Sequence, residues 1–122
     1  MSFRESIIRT GKAKADLVGK ENHIVKLSGD EQEYQLAGAG EGFGTLDNDI
    51  VAEGDFCEIT MIGGGAKVIS GSALGIGAEI TADANGKAVA AAAGNVVVGI
   101  AISAASAADE IIEMERVYYV KA

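Results

Sequence analysis

The sequence predicts an all-β fold, a small sandwich or barrel of short strands joined by glycine-rich turns. Two observations carry this. From His23 onward, apolar and polar residues alternate with a period of two. Glycine- and asparagine-bearing turns interrupt that alternation roughly every ten residues, the spacing of short antiparallel strands. A third observation limits the interior. Hydrophobic residues make up 48% of the 122-residue chain but aromatics only 5%, and there is no Trp. Ala, Val and Ile must therefore fill the core, and small side chains bury little area at about 25 cal/mol per Å². A domain of this kind gains stability by burying surface against copies of itself or a partner.

The elements follow in chain order. In residues 1–20, Phe3, Ile7 and Ile8 share a possible helix face, and Gly11 and Gly19 interrupt it. This segment reads as an N-terminal arm with a helical hint, partly disordered when free, ahead of a single β domain over residues 21–122. His23–Leu27 and Glu33–Ala37 read as a hairpin across the turn Ser28-Gly29-Asp30, with Ile24, Leu27, Tyr34 and Leu36 as its apolar residues. Further strands are expected at Phe56–Ile62, Ala66–Ser70, Glu79–Ala82, Lys87–Ala91, Val96–Ile102 and Ile111–Val120. Gly63-Gly64-Gly65, Asp83 to Gly86 and Gly94-Asn95 supply the turns between them. Val96–Ile102 and Ile111–Val117 are the most apolar and are the expected core.

A weak repeat relates the stretch that starts at Gly44 to the stretch that starts at Gly99. In the same alignment Ala52 matches Ala107 and Glu58 matches Glu113. Asp55 and Glu110 agree in charge, while Phe56 and Ile111, then Ile59 and Met114, agree in apolar character. Two related β units within one domain would give this pattern, and so would chance in an Ala/Gly-rich chain.

The chemistry-bearing residues do not assemble into a catalyst. His23 is the single histidine and opens a strand. Cys57 is the single cysteine, which excludes an intrachain disulfide and reads as a buried structural thiol. No G-x-S-x-G elbow is present. Gly38 to Gly44 misses the dinucleotide fingerprint, since its sixth position is Phe43 counted from Gly38 and Thr45 counted from Gly40. Asp47, Asp49, Glu53, Asp55 and Glu58 form an acidic stretch that fails the calcium-loop pattern at Val51 and Ala52. It reads as a solvated loop, and whether it takes a cation is open. The expectation is a non-enzyme with no cofactor and no metal.

Charge is unevenly placed. Residues 1–29 carry six basic and three acidic side chains, a net of +3. Residues 30–122 carry four basic and fifteen acidic ones, a net of -11. An acidic body repels nucleic acid and anionic membranes, so neither is an expected partner. No run reaches the roughly 18 apolar residues of a membrane helix, and the opening MSFRESIIRT lacks the apolar stretch of a signal peptide. A soluble protein made inside a cell is the expectation. In the arm, Phe3, Ile7 and Ile8 lie beside Arg4, Arg9, Lys12 and Lys14, a combination suited to docking on an acidic surface. A solvated arm is the bland alternative.

The stretch from Ala66 to Arg116 resembles the C-terminal half of the capsid cement, or head decoration, proteins of tailed bacteriophages. Lys67, Gly71, Gly77, Asp83, Gly86, Lys87, Ala88, Gly99, Ala101 and Ile111 stand in the places that match that family's pattern. Upstream, His23–Leu27 and Gly44–Leu46 resemble its opening hairpin and following strand pair. The resemblance covers about residues 13–116. The arm and the terminal VYYVKA depart from it, and Gly77-Ala78-Glu79 lacks the family's Gly-Asp.

The resemblance implies a structural protein of the virion, made in the host cytoplasm. It would bind the outer surface of the assembled head and hold the major capsid protein against internal DNA pressure. It implies a homotrimer, with a dimer as the alternative, which the thin aliphatic core also favours. The seven arm residues named above are the expected capsid contacts on their own charge and apolarity, since the arm departs from the resemblance. Another virion or tail-associated β protein, or a small ligand-binding β domain, is the competing reading. The last would need an aromatic platform that six scattered Phe and Tyr residues do not obviously supply.

Overall fold

The computed structural model describes residues 8–14, 16–29, 33–47, 52–60 and 65–122, with Ile8, Arg9, Cys57 and Thr60 described by backbone alone. Among these residues there are ten strands and no helix. Five form a closed barrel: β1 (Ile8–Ala13), β2 (Ile24–Leu27), β3 (Glu33–Leu36), β4 (Gly44–Leu46) and β5 (Phe56–Thr60), in the spatial order β1-β3-β2-β4-β5. The other five are β6 (Gly65–Ile69), β7 (Glu79–Ala82), β8 (Ala88–Ala90), β9 (Val96–Ala101) and β10 (Ile111–Val120), in the order β6-β10-β9-β7-β8.

These are two copies of one topology. Replacing each strand of the barrel by the strand five places later reproduces the neighbour pairs of the second sheet. The registers agree as well. Thr45 pairs with Ile24 and Thr60, and its counterpart in the repeat, Ile100, pairs with their counterparts Glu79 and Glu115. Leu46 opposite Ile59 becomes Ala101 opposite Met114. Backbone conformation repeats at the same offset: Asn22 and Gly77 have φ of 66° and 87°, and Gly54 and Asp109 have 87° and 67°. Asn and Asp tolerate this left-handed conformation better than other side chains. The parallel pairing of β1 with β3 that closes the barrel is reduced in the second unit to one bridge, Ser70 to Ala88, where the Gly71 N–H donates to the Ala88 carbonyl at 2.7 Å. The two related β units read from the sequence are thus present as successive five-stranded units.

Each unit has its own core. Ala13, Leu17, Val25, Tyr34, Leu46 and Ile59 fill the barrel. Val68, Leu74, Ile80, Val98, Ile112 and Met114 lead the second cluster, to which the first unit contributes Ile24 and Ala37. The expected core strands β9 and β10 do supply Val97, Val98, Ala101, Ile112 and Met114, but Ile111 and Tyr118 to Val120 are exposed.

The reading of the arm needs correction. The helical hint in the arm gives way to strand β1, paired with β5 from Ile8 opposite Thr60 to Lys12 opposite Phe56. The physical reason is alternation: Gly11 and Ala13 are small enough to face a tight barrel interior, while Thr10 and Lys12 face out. The boundary expected at residue 20 therefore marks no break in the fold, since Ala13 and Leu17 are core residues. Residues 1–7 of the expected arm lie outside the described residues. Gly44 ends the glycine run and begins β4, all of whose residues are buried, in keeping with the resemblance of Gly44–Leu46 to a family strand. The expected strands from His23 onward are all present, close to their expected bounds.

The units meet closely at Gly86. Its φ is +75°, its carbonyl accepts from the Ile24 N–H at 2.7 Å, and a Cβ there would lie 2.5 Å from Leu36 Cδ1 and 3.0 Å from the Ile24 carbonyl oxygen. We expect Gly86→Ala to destabilise the chain by about 2–3 kcal/mol, from left-handed strain and overpacking against backbone that cannot yield. Denaturant unfolding of the two proteins measures this, and an unchanged midpoint would contradict the packing described.

His23 is buried beside this seam, with Nδ1 3.1 Å from the Glu21 carbonyl. Burial holds its pKa below the ordinary 6.5, partly opposed by the hydrogen bond to the Glu21 carbonyl. A depressed folded-state pKa means that protonation favours the unfolded chain. The stability His23 confers is present above the unfolded pKa of about 6.5 and is lost as pH falls through the lower folded value. Unfolding midpoints should therefore fall between about pH 7 and pH 5, and less steeply in His23→Gln. Parallel slopes in the two proteins would remove His23 as the cause.

Candidate functional site

No constellation for catalysis forms among the described residues. The His23 ring is buried, and no group of three or more His, Cys, Asp or Glu among those residues is placed to hold a metal ion. In the acidic stretch, residues 48–51 lie outside the described residues. The Asp47 N–H donates to the Glu58 carbonyl at 2.8 Å, and the Asp55 carboxylate accepts from the Ala52 N–H at 3.1 Å, so these contacts shape a turn. The Cys57 side chain lies outside the description. No helix is long and apolar enough to cross a membrane.

What the surface offers is faces. Of the expected contact residues, Phe3, Arg4 and Ile7 lie outside the described residues, and Ile8 and Arg9 are described by backbone alone. Lys12 and Lys14 are exposed. Lys12 Nζ sits 5.8 Å from the centroid of the Phe56 ring, on the outward face shared by β1 and β5. Phe56 is 67% exposed. A cation over an aromatic face, both in solvent, is attractive by roughly 0.5–1 kcal/mol. Sequence reading does not single out Phe56, though its alternation with Glu58 and the inward Ile59 carries the signal that it faces out.

A second surface lies on the other unit. Ile111 is 51% exposed, Ile102 51% and Ile76 75%. Ile69 stands directly opposite Ile111 in the β6–β10 ladder and is half-buried. Period-two reading assigns Ile102 and Ile111 to core strands; their neighbours Ala101 and Ile112 are the inward ones.

A third feature is the end of β10. Beyond a register shift between Arg116 and Tyr119, the strand continues with Tyr119 opposite Val97 and Val120 opposite Val96. The Tyr119 hydroxyl donates to Glu79 at 2.5 Å, and Lys121 donates to the other Glu79 oxygen. Those bonds, the lysine's first, hold the Glu79 carboxyl below the usual carboxylate range. The terminal VYYVKA thus extends the β9–β10 ladder and ties it to β7. Tyr34, Phe43 and Tyr118 form an aromatic run across both units, with ring centroids 6.1 Å apart and stacked, then 5.9 Å apart and edge-on. Tyr34 is buried and Phe43 partly so, which makes the run a structural bridge rather than an open platform.

Among the described residues the candidate site is a set of exposed faces. Comparison with known proteins gives the chain its family. The head fiber gp8.5 N base of bacteriophage phi29 shares the fold, with a TM-score of 0.68 at 21% identity over 93% of this chain and 95% of that one. No curated protein matches the chain. The model of the phage cement protein family matches residues 11–116, from strand β1 to the buried Arg116 of β10, and so spans both five-stranded units. The chain belongs to the phage cement protein family and is a capsid-associated structural protein of a bacteriophage.

Proposed function

We propose that this chain binds the outer surface of the assembled head and clamps neighbouring major capsid protein subunits against the pressure of packaged DNA, acting as a homotrimer on the shell. The family match over residues 11–116 is the observation that carries this reading. The likeness to a phage head fiber base supports association with the head. The physical logic is linkage. A protein that binds the assembled shell and not its dissociated subunits stabilises assembly by mass action. Repetition over many sites multiplies a small term per site.

The β1 face is the proposed capsid-facing side. Lys12 and Lys14 project from it, and they belong to the basic part of the chain: residues 1–29 carry a net charge of +3, against -11 for residues 30–122. A positive face on a negative body favours one orientation toward an acidic shell, over a range of about 8–10 Å at physiological salt.

The test uses purified heads lacking this protein. The intact chain should bind them at a fixed stoichiometry and raise their resistance to heat or to osmotic release of DNA. Binding to unassembled capsid subunits should be much weaker. Lys12→Gln with Lys14→Gln, together with removal of residues 2–7, leaves strand β1 in place. We expect this variant to lose affinity several-fold, at about 0.2–1 kcal/mol per surface charge, with the difference shrinking as salt rises. Heads that bind neither protein would sink the function. Equal occupancy by both proteins at low and high salt would remove the β1 face from it.

A further inference from the structure

The repeat supplies an internal comparison of surfaces, because the same outward positions occur once in each unit. In the ladder between the first and last strands of a unit, Lys12 stands opposite Phe56 in the first and Ile69 opposite Ile111 in the second. In the alignment that sets Gly44 on Gly99, Asp47 corresponds to Ile102 and Glu21 to Ile76. Three of the four outward positions are therefore charged in the first unit, and all four are isoleucine in the second. Fold and register do not require isoleucine there, since the first unit builds the same strands without it.

We propose that this outer face of the second unit, formed by Ile69, Ile76, Ile102 and Ile111, is where copies of this chain pack against one another. This rests on the self-association stated under Proposed function and names its surface. The four residues adjoin. Ile69 and Ile111 are cross-strand partners. The Ile102 N–H donates to the Glu113 carbonyl, placing Ile102 beside β10, and the Gly77 N–H donates to the Ala101 carbonyl, placing the Ile76 turn beside Ile102. Apolar side chains gathered on a solvent face mark an interface.

Charge selects a second copy as the occupant. Residues 1–64 carry six basic and twelve acidic side chains, a net of -6, whereas residues 65–122 carry four and six, a net of -2. Two copies meeting through their second units bring the weakly charged halves together and keep the strongly negative halves apart. The face also carries its own complement. Lys67 and Glu113 stand opposite each other, the next outward pair along the ladder from Ile69 and Ile111, and among the described residues neither forms an ion pair within the chain. Each offers a charge that the opposite charge of a neighbouring copy around the axis of the homotrimer can meet. The basic β1 face lies on the first unit, so contact between copies through the second unit does not consume it.

The experiment compares the intact chain with Ile102→Lys/Ile111→Lys, with Ile76→Lys alone, and with Phe56→Lys, which makes the equivalent change on the first unit. Sedimentation velocity reads association and circular dichroism reads fold. We expect the intact chain and Phe56→Lys to sediment as oligomers and the isoleucine variants as the 12.4 kDa monomer with an unchanged β spectrum. Ile76→Lys, in a turn, keeps the test valid if the double variant unfolds. Oligomers that persist in folded isoleucine variants overturn the proposal. So does an intact chain that is monomeric in solution and sits in unclustered single copies on heads. Loss of head binding with association intact would assign the face to the capsid instead, and also overturns it. Failure of every protein to bind heads, with the isoleucine variants monomeric, refutes the capsid reading and upholds the interface.

Discussion

The structure depends on the seam where two small five-stranded units share one interior. Each unit is about half of a 122-residue chain with no Trp, below the size at which a core of small side chains suffices alone. The seam supplies the missing burial. Arg116 on β10 is 1% exposed, and its guanidinium donates to the Phe43 carbonyl at 2.8 Å in the first unit and to the Val117 carbonyl at 2.9 Å in the second. Burial lowers its pKa to about 10, so it remains charged at neutral pH. Bonds from an ionised donor to carbonyl oxygens offset part of the desolvation cost, and the fork geometry of arginine suits reaching both units at once. Around it the backbones interlock directly. The Gly40 N–H donates to the Ala82 carbonyl, and the Gly40 carbonyl accepts from the Val96 N–H, both at 2.9 Å. A Cβ at Gly42 would come within 2.5 Å of Val98 Cγ1, so glycine there permits the approach.

The seam also explains why the units are alike in skeleton yet unlike in closure. The first unit closes fully because β1 pairs with both β5 and β3. In the second, the gap between β6 and β8 is bridged once, at Ser70 and Ala88, and the first unit covers it: the Ile69 N–H donates to the Asn22 carbonyl, and the Ile24 N–H to the Gly86 carbonyl. Sheet edges left open invite pairing with other chains. One unit is thus a finished barrel and the other is finished by its neighbour.

Most of this is legible in the sequence as strands and as a repeat, because a period of two and a match of Gly44 to Gly99 are properties of residue order. Strand β1 is not legible, since Gly11 and Ala13 carry no hydrophobic signal and are inward only because the barrel is narrow. Strand β4 is short and sits behind a glycine run, so it shows through the family resemblance of Gly44–Leu46 and not through periodicity. The faces are the least legible part. Ile111 and Ile112 are identical in a hydropathy reading, yet the first is half-exposed and the second 3% exposed, and only the ladder separates them. The arm residues stand out in the sequence for charge and apolarity. Lys12 is indeed placed on an outer face, but beside Phe56, a neighbour distant in the chain that only strand pairing brings close.

The clamp proposed above asks of a fold something other than what a catalyst asks. A catalyst concentrates its free energy on a few atoms. A protein holding large subunits against a distributed load needs rigid, flat contact repeated many times, with each contact modest. Two β units fused through backbone hydrogen bonds and a buried arginine give rigidity without bulky side chains, because short strands and glycine-permitted approaches leave few rotamers to fix. Duplication then supplies two outer faces while leaving the skeleton intact, since outward residues alternate with the inward ones that hold the fold. One face can keep the charges that suit an acidic partner, with Lys12 over Phe56, while the other exchanges them for isoleucine. On the two proposals made above, divergence of exposed positions on a shared register is what would let a single small chain engage two different surfaces.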